Sequence, residues 1–111
     1  MTVHLLSAAM IPTADGTYRS SKITRELFSS YASVAKLAGD LKTYVECPET
    51  AEILSTLCGF EIEANSDKMI IEDGDILLIA KPKYRLVDLR QKRKATSIAD
   101  DFEFHSVVYI E

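Results

Sequence analysis

The most constraining feature of this sequence is an unbroken apolar run, ILLIA, at residues 76–80. A strand with one wet face alternates apolar and polar residues, so a run that is apolar at every position indicates burial on both faces. The turn sequence Glu72–Asp75 comes directly before it. Since 111 residues suffice for one hydrophobic core, we expect residues 1–111 to form a single domain with this strand at the centre of its sheet.

Other segments have the short alternating or apolar patterns that are typical of strands. They are residues 3–10, 17–23, 41–46, 60–64, 68–71 and 104–110. Asp15-Gly16 is a hairpin signal and predicts that the first two strands pair through a tight turn.

Two helices are predicted from capping residues and apolar spacing. Thr24 can cap the first helix, which Gly39 ends. Its expected buried stripe comprises Leu27, Phe28, Tyr31, Val34, Ala35 and Ala38. Pro48 suits the first position of the second helix, and Gly59 lies just past its last turn. Its expected buried face comprises Ile53, Leu54 and Leu57.

This order of elements predicts an α+β fold with a mixed five- to six-stranded sheet and helices mainly on one face. A short helical turn is expected from Ser97 to about Phe102. A sheet of this size in so short a chain is expected to leave an edge or face for a partner to cover. We therefore expect a homodimer.

Positive charge is concentrated in one segment, KPKYRLVDLRQKRK at residues 81–94, which we call the basic strip. It holds seven of the thirteen Lys and Arg residues, with Asp88 as its one acid, in a chain of net charge −4. Such a chain attracts an anion at the strip and nowhere else. Two readings stay open: an anion site, or a solvated loop or sheet edge kept basic to prevent stacking.

Familiar catalytic and cofactor motifs are absent from the sequence. Cys47 and Cys58 have neither zinc-ligand spacing nor the density of a disulfide scaffold, so we expect no metal, no cofactor and a reducing cytoplasmic environment. His4 and His105 are expected to be surface or sheet-edge residues rather than catalysts. The N-terminal residues show no secretory signal, and no apolar run is long enough to cross a membrane.

Cys47 and Arg85 are the strongest candidates for contact with an anion. Cys47 falls at the predicted start of the second helix, where free N–H groups favour a phosphate and would lower a thiol pKa. Arg85 follows the central strand, with Tyr84 beside it to stack on a base and Asp88 to orient it. The alternatives are that Cys47 is a small half-buried residue and that Arg85 forms an ordinary salt bridge.

Three segments of the chain resemble a known family in the same order and at matching spacing. They are LLSAAMIPTADGTYRSSKIT at residues 5–24, ECPETAEILSTLCG at residues 46–59 and EANSDKMIIEDGDILLIAKPKYRL at residues 63–86. They are similar to the first hairpin, the Gly-His-x-Ser-Thr helix and the Asn-Arg turn with buried strand of the viral ring nucleases, which act as type III anti-CRISPR proteins.

The resemblance implies a homodimer that binds cyclic tetra-adenylate across its two-fold groove and cleaves it without a metal. Ser7 falls where the family has a ligand-contacting Asn, and Arg85 where it has a phosphate-binding Arg. Lys68 is near a turn in which Ser66 replaces the family's Arg. The ligand-binding residues expected overall are Ser7, Cys47, Lys68, Lys83, Arg85 and Asp88.

Catalysis is where this sequence departs from the family. Cys47 replaces the His that acts as general acid, and Asp88 falls at a supporting Glu. A thiol at a helix start tends towards thiolate, the wrong charge state for an acid, and losing such an acid costs about 10²–10⁴-fold in rate.

The expectation is therefore a viral sponge, acting in the host cytoplasm, that sequesters a cyclic nucleotide messenger for immune evasion. The alternatives are a divergent ring nuclease that uses Cys47, Asp88 or a shifted His, and a module that kept only the fold and binds protein or, less expected, DNA.

Overall fold

The computed structural model of the protein describes residues 2–7, 15–46, 48–65, 69–82 and 102–111. Seven helices and strands lie in these ranges. In chain order they are β1 (Val3–Leu6), β2 (Thr17–Ile23), α1 (Arg25–Ala38), β3 (Leu41–Tyr44), α2 (Pro48–Cys58), β4 (Ile76–Pro82) and β5 (Phe102–Ile110).

The five strands form one mixed sheet in the order β2-β5-β4-β1-β3. β1 pairs in parallel with both β3 and β4, whereas β5 pairs antiparallel with both β4 and β2. This confirms the predicted α+β class with a mixed sheet, and gives the sheet five strands.

β4 lies at the middle of this sheet and is buried on both faces, as its apolar run predicts. Leu78 and Ala80 belong to the core on one face, while Leu77 and Ile79 belong to a smaller apolar cluster on the other. All four side chains are at most 3% exposed.

Both helices pack on the Leu78 face, as predicted. The helical residues buried there are Phe28, Ala32, Ala35, Ala51, Ile53, Leu54 and Cys58. The ring of Phe28 lies 4.9 Å, centroid to centroid, from that of Phe104 on β5. We call the opposite side of the sheet the open face, because neither described helix covers it.

The predicted bounds of α1 are confirmed in detail. Thr24 Oγ1 accepts a hydrogen bond from the Leu27 N–H at 3.2 Å, and Gly39 ends the helix in a left-handed conformation with φ 76°. The buried stripe is partly wrong, since Ala32 is buried whereas Tyr31 and Val34 are 45% and 64% exposed. α1 therefore directs Phe28, Ala32 and Ala35 at the sheet, which turns Tyr31 and Val34 towards solvent.

The predicted hairpin between the first two strands is wrong. β2 pairs with β5 at the edge of the sheet, whereas β1 lies inside, between β3 and β4. All four residues of β1 are buried, while β2 is mostly exposed, so burial assigns them an inner and an outer place. Asp15 and Gly16 instead lie at the end of β5, where the Tyr109 hydroxyl donates to the Asp15 carbonyl oxygen.

The strands predicted over residues 60–64 and 68–71 are also not observed among the described residues of those segments. Ala64 makes an isolated parallel bridge to Val45, and the Asn65 amide donates to the Thr43 carbonyl oxygen at 2.9 Å. This segment is thus tied to the end of β3 without forming a strand.

Two other predicted segments extend beyond the described residues. Phe102 begins β5 and is not part of a helical turn, whereas residues 97–101 lie outside the described ranges. The first strand ends at Leu6, while residues 8–10 of its predicted span are also outside them. No described helix is long and apolar enough to span a membrane.

A buried hydrogen-bonded pair, His4 and Asp75, fastens β1 to the turn before β4. One carboxylate oxygen of Asp75 accepts from the Thr2 N–H at 2.9 Å. The other lies 2.9 Å from His4 Nε2 and accepts from the Glu72 N–H at 2.9 Å.

His4 is 1% exposed, so its expected surface position is wrong. Burial raises the pKa of Asp75, but the hydrogen bonds from His4, Thr2 and Glu72 and the nearby His4 charge outweigh it and lower that pKa overall.

Replacing the carboxylate of Asp75 is expected to destabilise the fold strongly. Asp75→Ala leaves three donors without their acceptor, and we expect it to lower the free energy of unfolding by about 3 kcal/mol at pH 7. Because the folded-state pKa is depressed, this contribution is present above about pH 4 and is lost as pH falls through the lowered value.

Urea unfolding of both proteins between pH 7 and pH 3 measures this difference. Glu72→Ala is the matched control, since its side chain is exposed, and it should change stability by less than about 0.5 kcal/mol. An Asp75→Ala variant as stable as wild type at pH 7 would contradict the role of the pair.

Candidate functional site

The carboxyl ends of β3, β1 and β4 lie side by side, and we call this border of the sheet the C-terminal edge. The register pairs Leu6, the last residue of β1, with Tyr44 at the end of β3 and with Ile79 near the end of β4. Ligands of open sheets with parallel strands bind outside the carboxyl ends of those strands, where the following loops converge. This edge is therefore the candidate site.

Three of the sequence segments singled out above begin at this edge. Ser7, which is partly buried, follows β1 directly. β3 leads through Val45 and Glu46 towards Pro48, the first residue of α2. β4 ends at Pro82, inside the basic strip. The fold thus brings these three chain positions, far apart in sequence, to one border of the sheet.

Of the six expected ligand-binding residues, Ser7 lies in the part of the chain that the structure describes. Cys47, Lys68, Lys83, Arg85 and Asp88 lie outside the described residues. Cys47 is nevertheless bonded to Glu46 and Pro48, and Lys83 to Pro82, so their chain neighbours are at the C-terminal edge. The roles of all six stay predictions.

The start of α2 supplies backbone donors at this edge. The helix runs for 11 residues, and its first N–H groups have no partners within the helix. Glu49 adds an acid to the first turn, and Thr50 is buried there. At the other end, Ser55 Oγ accepts from the Ile62 N–H at 2.7 Å, which fixes the helix against the following segment.

A polar group on the open face extends the site towards β2. Lys22 on β2 pairs in register with His105 on β5, and Glu103 pairs with Lys81 on β4. Glu103 Oε1 lies 4.0 Å from Lys22 Nζ, and its Oε2 lies 3.6 Å from His105 Nε2. We call Lys22, Lys81, Glu103 and His105 the open-face cluster.

Sequence reasoning named Lys81 within the basic strip but missed the rest of this cluster. Lys22 and Glu103 are ordinary surface charges in sequence, and they meet only through the pairing of β2 with β5. The expectation that His105 is a surface or sheet-edge residue is also inexact, since β5 is an inner strand and His105 is 26% exposed at its side chain. In the sequence, the one indication of the sheet face on which His105 lies is its alternation with the apolar Phe104 in FHSVVYI.

The two cysteines differ in what they offer the site. Cys58, in the last turn of α2, belongs to the hydrophobic core, and burial raises its pKa to about 11. A thiol of this kind is neither a nucleophile nor a ligand near neutral pH. Within the described residues, no group of three or more His, Cys, Asp and Glu side chains is placed to hold a metal ion.

Comparison with known proteins matches a family model and several solved structures. The model of the family described as STIV B116-like matches residues 3–108. The structure of B116 of Sulfolobus turreted icosahedral virus has a TM-score of 0.77 and 20% sequence identity to this chain, over 96% of this chain and 98% of that one. At that identity the likeness concerns the fold. The search of curated proteins found no match.

The two thiols are expected to react at very different rates. Cys58 should stay unmodified by iodoacetamide in the folded protein, because its thiol is buried and protonated. Cys47, the residue before α2, should react faster, because the sequence predicts a thiol at a helix start. Mass spectrometry after alkylation from pH 5 to pH 9 measures the two rates separately: the Cys47→Ser variant reports on Cys58, and the Cys58→Ala variant reports on Cys47. Fast modification of Cys58 in the folded Cys47→Ser variant would contradict its assignment as a buried, protonated thiol.

Proposed function

The chain belongs to the STIV B116-like family, and on this premise we propose that it binds a cyclic oligoadenylate at the C-terminal edge and retains it uncleaved. The family is viral and includes type III anti-CRISPR ring nucleases. A protein that traps such a messenger silences the signal when it is abundant and binds tightly. The proposed role is therefore that of a viral sponge in the host cytoplasm, with the ligand in a groove shared by two copies.

The convergence of three segments at the C-terminal edge carries this proposal. Ser7, the start of α2 and the end of β4 come from three neighbouring parallel strands. A cyclic nucleotide carries several phosphates on one small ring. Helix N-termini and basic side chains are suited to such a ligand. The start of α2 and Lys81, the first residue of the basic strip, lie at this border.

Charge supports the same location. Outside residues 81–94, acidic residues outnumber basic ones by sixteen to six, since the strip holds seven of the thirteen basic residues and one of the seventeen acids. β4 carries the chain into this strip at the C-terminal edge. Lys81 and Pro82, the first two residues of the strip, are thus at this border, and an anion is attracted to the strip that they begin.

Retention without cleavage is proposed because of the groups at the start of α2. Cys47 stands where the family has its general acid, and a thiol that tends towards thiolate is a poor proton donor. His4 cannot replace it, since His4 is buried against Asp75. The Asp75 pair precedes β4, at the end of the sheet opposite to the site.

A second candidate function, cleavage without a metal, is favoured by the Glu103–His105 pair. The imidazole is the one partly exposed histidine of the described residues, and Glu103 lies 3.6 Å from it. In such a reaction a ribose 2′-hydroxyl would lose its proton to water or to the Glu103 carboxylate while its oxygen attacks phosphorus. The bond to the 5′-oxygen would break, and a protonated imidazole would give its proton to that oxygen. This candidate predicts a linear product.

The proposal is tested by the fate of the bound ligand. We expect calorimetry with cyclic tetra-adenylate to give one ring per two chains, and we expect the ring to be intact by mass spectrometry after the complex is denatured by heat. Linear product would favour the second candidate, and its loss in His105→Gln or Cys47→Ala would identify the acid. The absence of binding to any cyclic oligoadenylate would overturn the proposal.

A matched pair of variants tests the place of binding. Arg85→Ala should weaken binding at least about tenfold, because a charge-assisted contact to phosphate is lost. Arg19→Ala removes an equal charge from an exposed position on β2 and should change affinity less than about twofold. Duplex DNA is the control ligand, since affinity for DNA that falls steeply with salt would indicate a nucleic-acid module instead.

A further inference from the structure

We infer that the open-face cluster is a second phosphate-binding subsite, in which Lys22 and His105 hold one phosphodiester of the nucleotide bound at the C-terminal edge. This inference rests on the proposed function and specifies more of its site. It assigns a binding role to two residues that the resemblance to ring nucleases does not single out.

The register of the sheet places the cluster at the same border as the proposed ligand. Leu6, Ile79, His105 and Lys22 form one row across β1, β4, β5 and β2 on the open face. Neighbouring strands are about 4.8 Å apart, so His105 lies roughly 10 Å across the sheet from Leu6, the residue before Ser7. A ring of several nucleotides is expected to contact both places.

The geometry of the cluster leaves its cations available to a ligand. Lys22 is 69% exposed at its side chain, and its Nζ is 4.0 Å from Glu103 Oε1, too far for a hydrogen bond. His105 Nε2 is 3.6 Å from the other carboxylate oxygen of Glu103. The Glu103 carboxylate therefore orients Lys22 and His105, and both can still donate a hydrogen bond to a ligand. An exposed ion pair of this kind contributes little to stability, so fold stability does not account for the arrangement.

Charge in the cluster favours an anion. The charged groups that face His105 among the described residues are Lys22 from β2, Lys81 from β4 and Glu103 from β5 itself. Two lysines and one carboxylate give the group a net positive charge.

The experiment measures the affinity for cyclic tetra-adenylate in wild type, Lys22→Ala, His105→Gln and Lys42→Ala. Lys42→Ala is the matched control, because Lys42 is an exposed lysine on the same face but on β3, at the far side of the sheet. We expect Lys22→Ala to weaken binding about tenfold. We expect His105→Gln to weaken binding at least about twofold, and Lys42→Ala to change affinity less than about twofold.

Glu103→Gln should have the opposite effect on affinity. Its carboxylate competes with the ligand for Lys22 and His105, so removing it should tighten binding at least about twofold. Unchanged affinity in both Lys22→Ala and His105→Gln, in a wild type that binds, would overturn the subsite and leave the proposed function intact. Failure of the wild type to bind would overturn both. Thermal unfolding of each variant establishes that a loss of affinity is not a loss of fold.

Discussion

Burial of β4 on both faces is the constraint on which the rest of this structure depends. Four successive apolar side chains, Leu77 to Ala80, can leave water only if a strand lies on each side and material covers each face. β1 and β5 supply the neighbours, and the two helices supply one cover. Burying each of its large side chains contributes about 1.5–3 kcal/mol.

The contacts that stabilise the parallel strands β3, β1 and β4 lie at one end of these strands, and the candidate site lies at the other. The Asp75 carboxylate, held by His4 and two backbone N–H groups, fastens β1 and β4 at the end where β4 begins. The carboxyl ends of the same strands carry Ser7, the start of α2 and the entry to the basic strip. Substitutions at the C-terminal edge therefore leave the buried pair untouched.

Local signals in the sequence correctly predicted the ends of the helices. Thr24 caps α1 through its own hydroxyl, Gly39 ends it in a conformation that favours glycine, and Pro48 begins α2. Asp15-Gly16 is also a signal that neighbouring residues carry, but the hairpin that it predicts is wrong. A turn signal fixes the bend of the chain, but burial of β1 and exposure of β2 decide which strands pair.

By itself the sequence determined the α+β class, the central strand, both helices and the charge asymmetry, because each follows from spacing and composition within a short window. It also nominated Ser7, Cys47 and Arg85 by resemblance. Only the tertiary structure decided that β1 lies inside the sheet, that His4 is buried against Asp75, and that Lys22 and His105 are neighbours. These contacts join residues 71 and 83 positions apart, as their numbers show, and no local pattern encodes such pairing, because it depends on the competition of all strands for the same buried places.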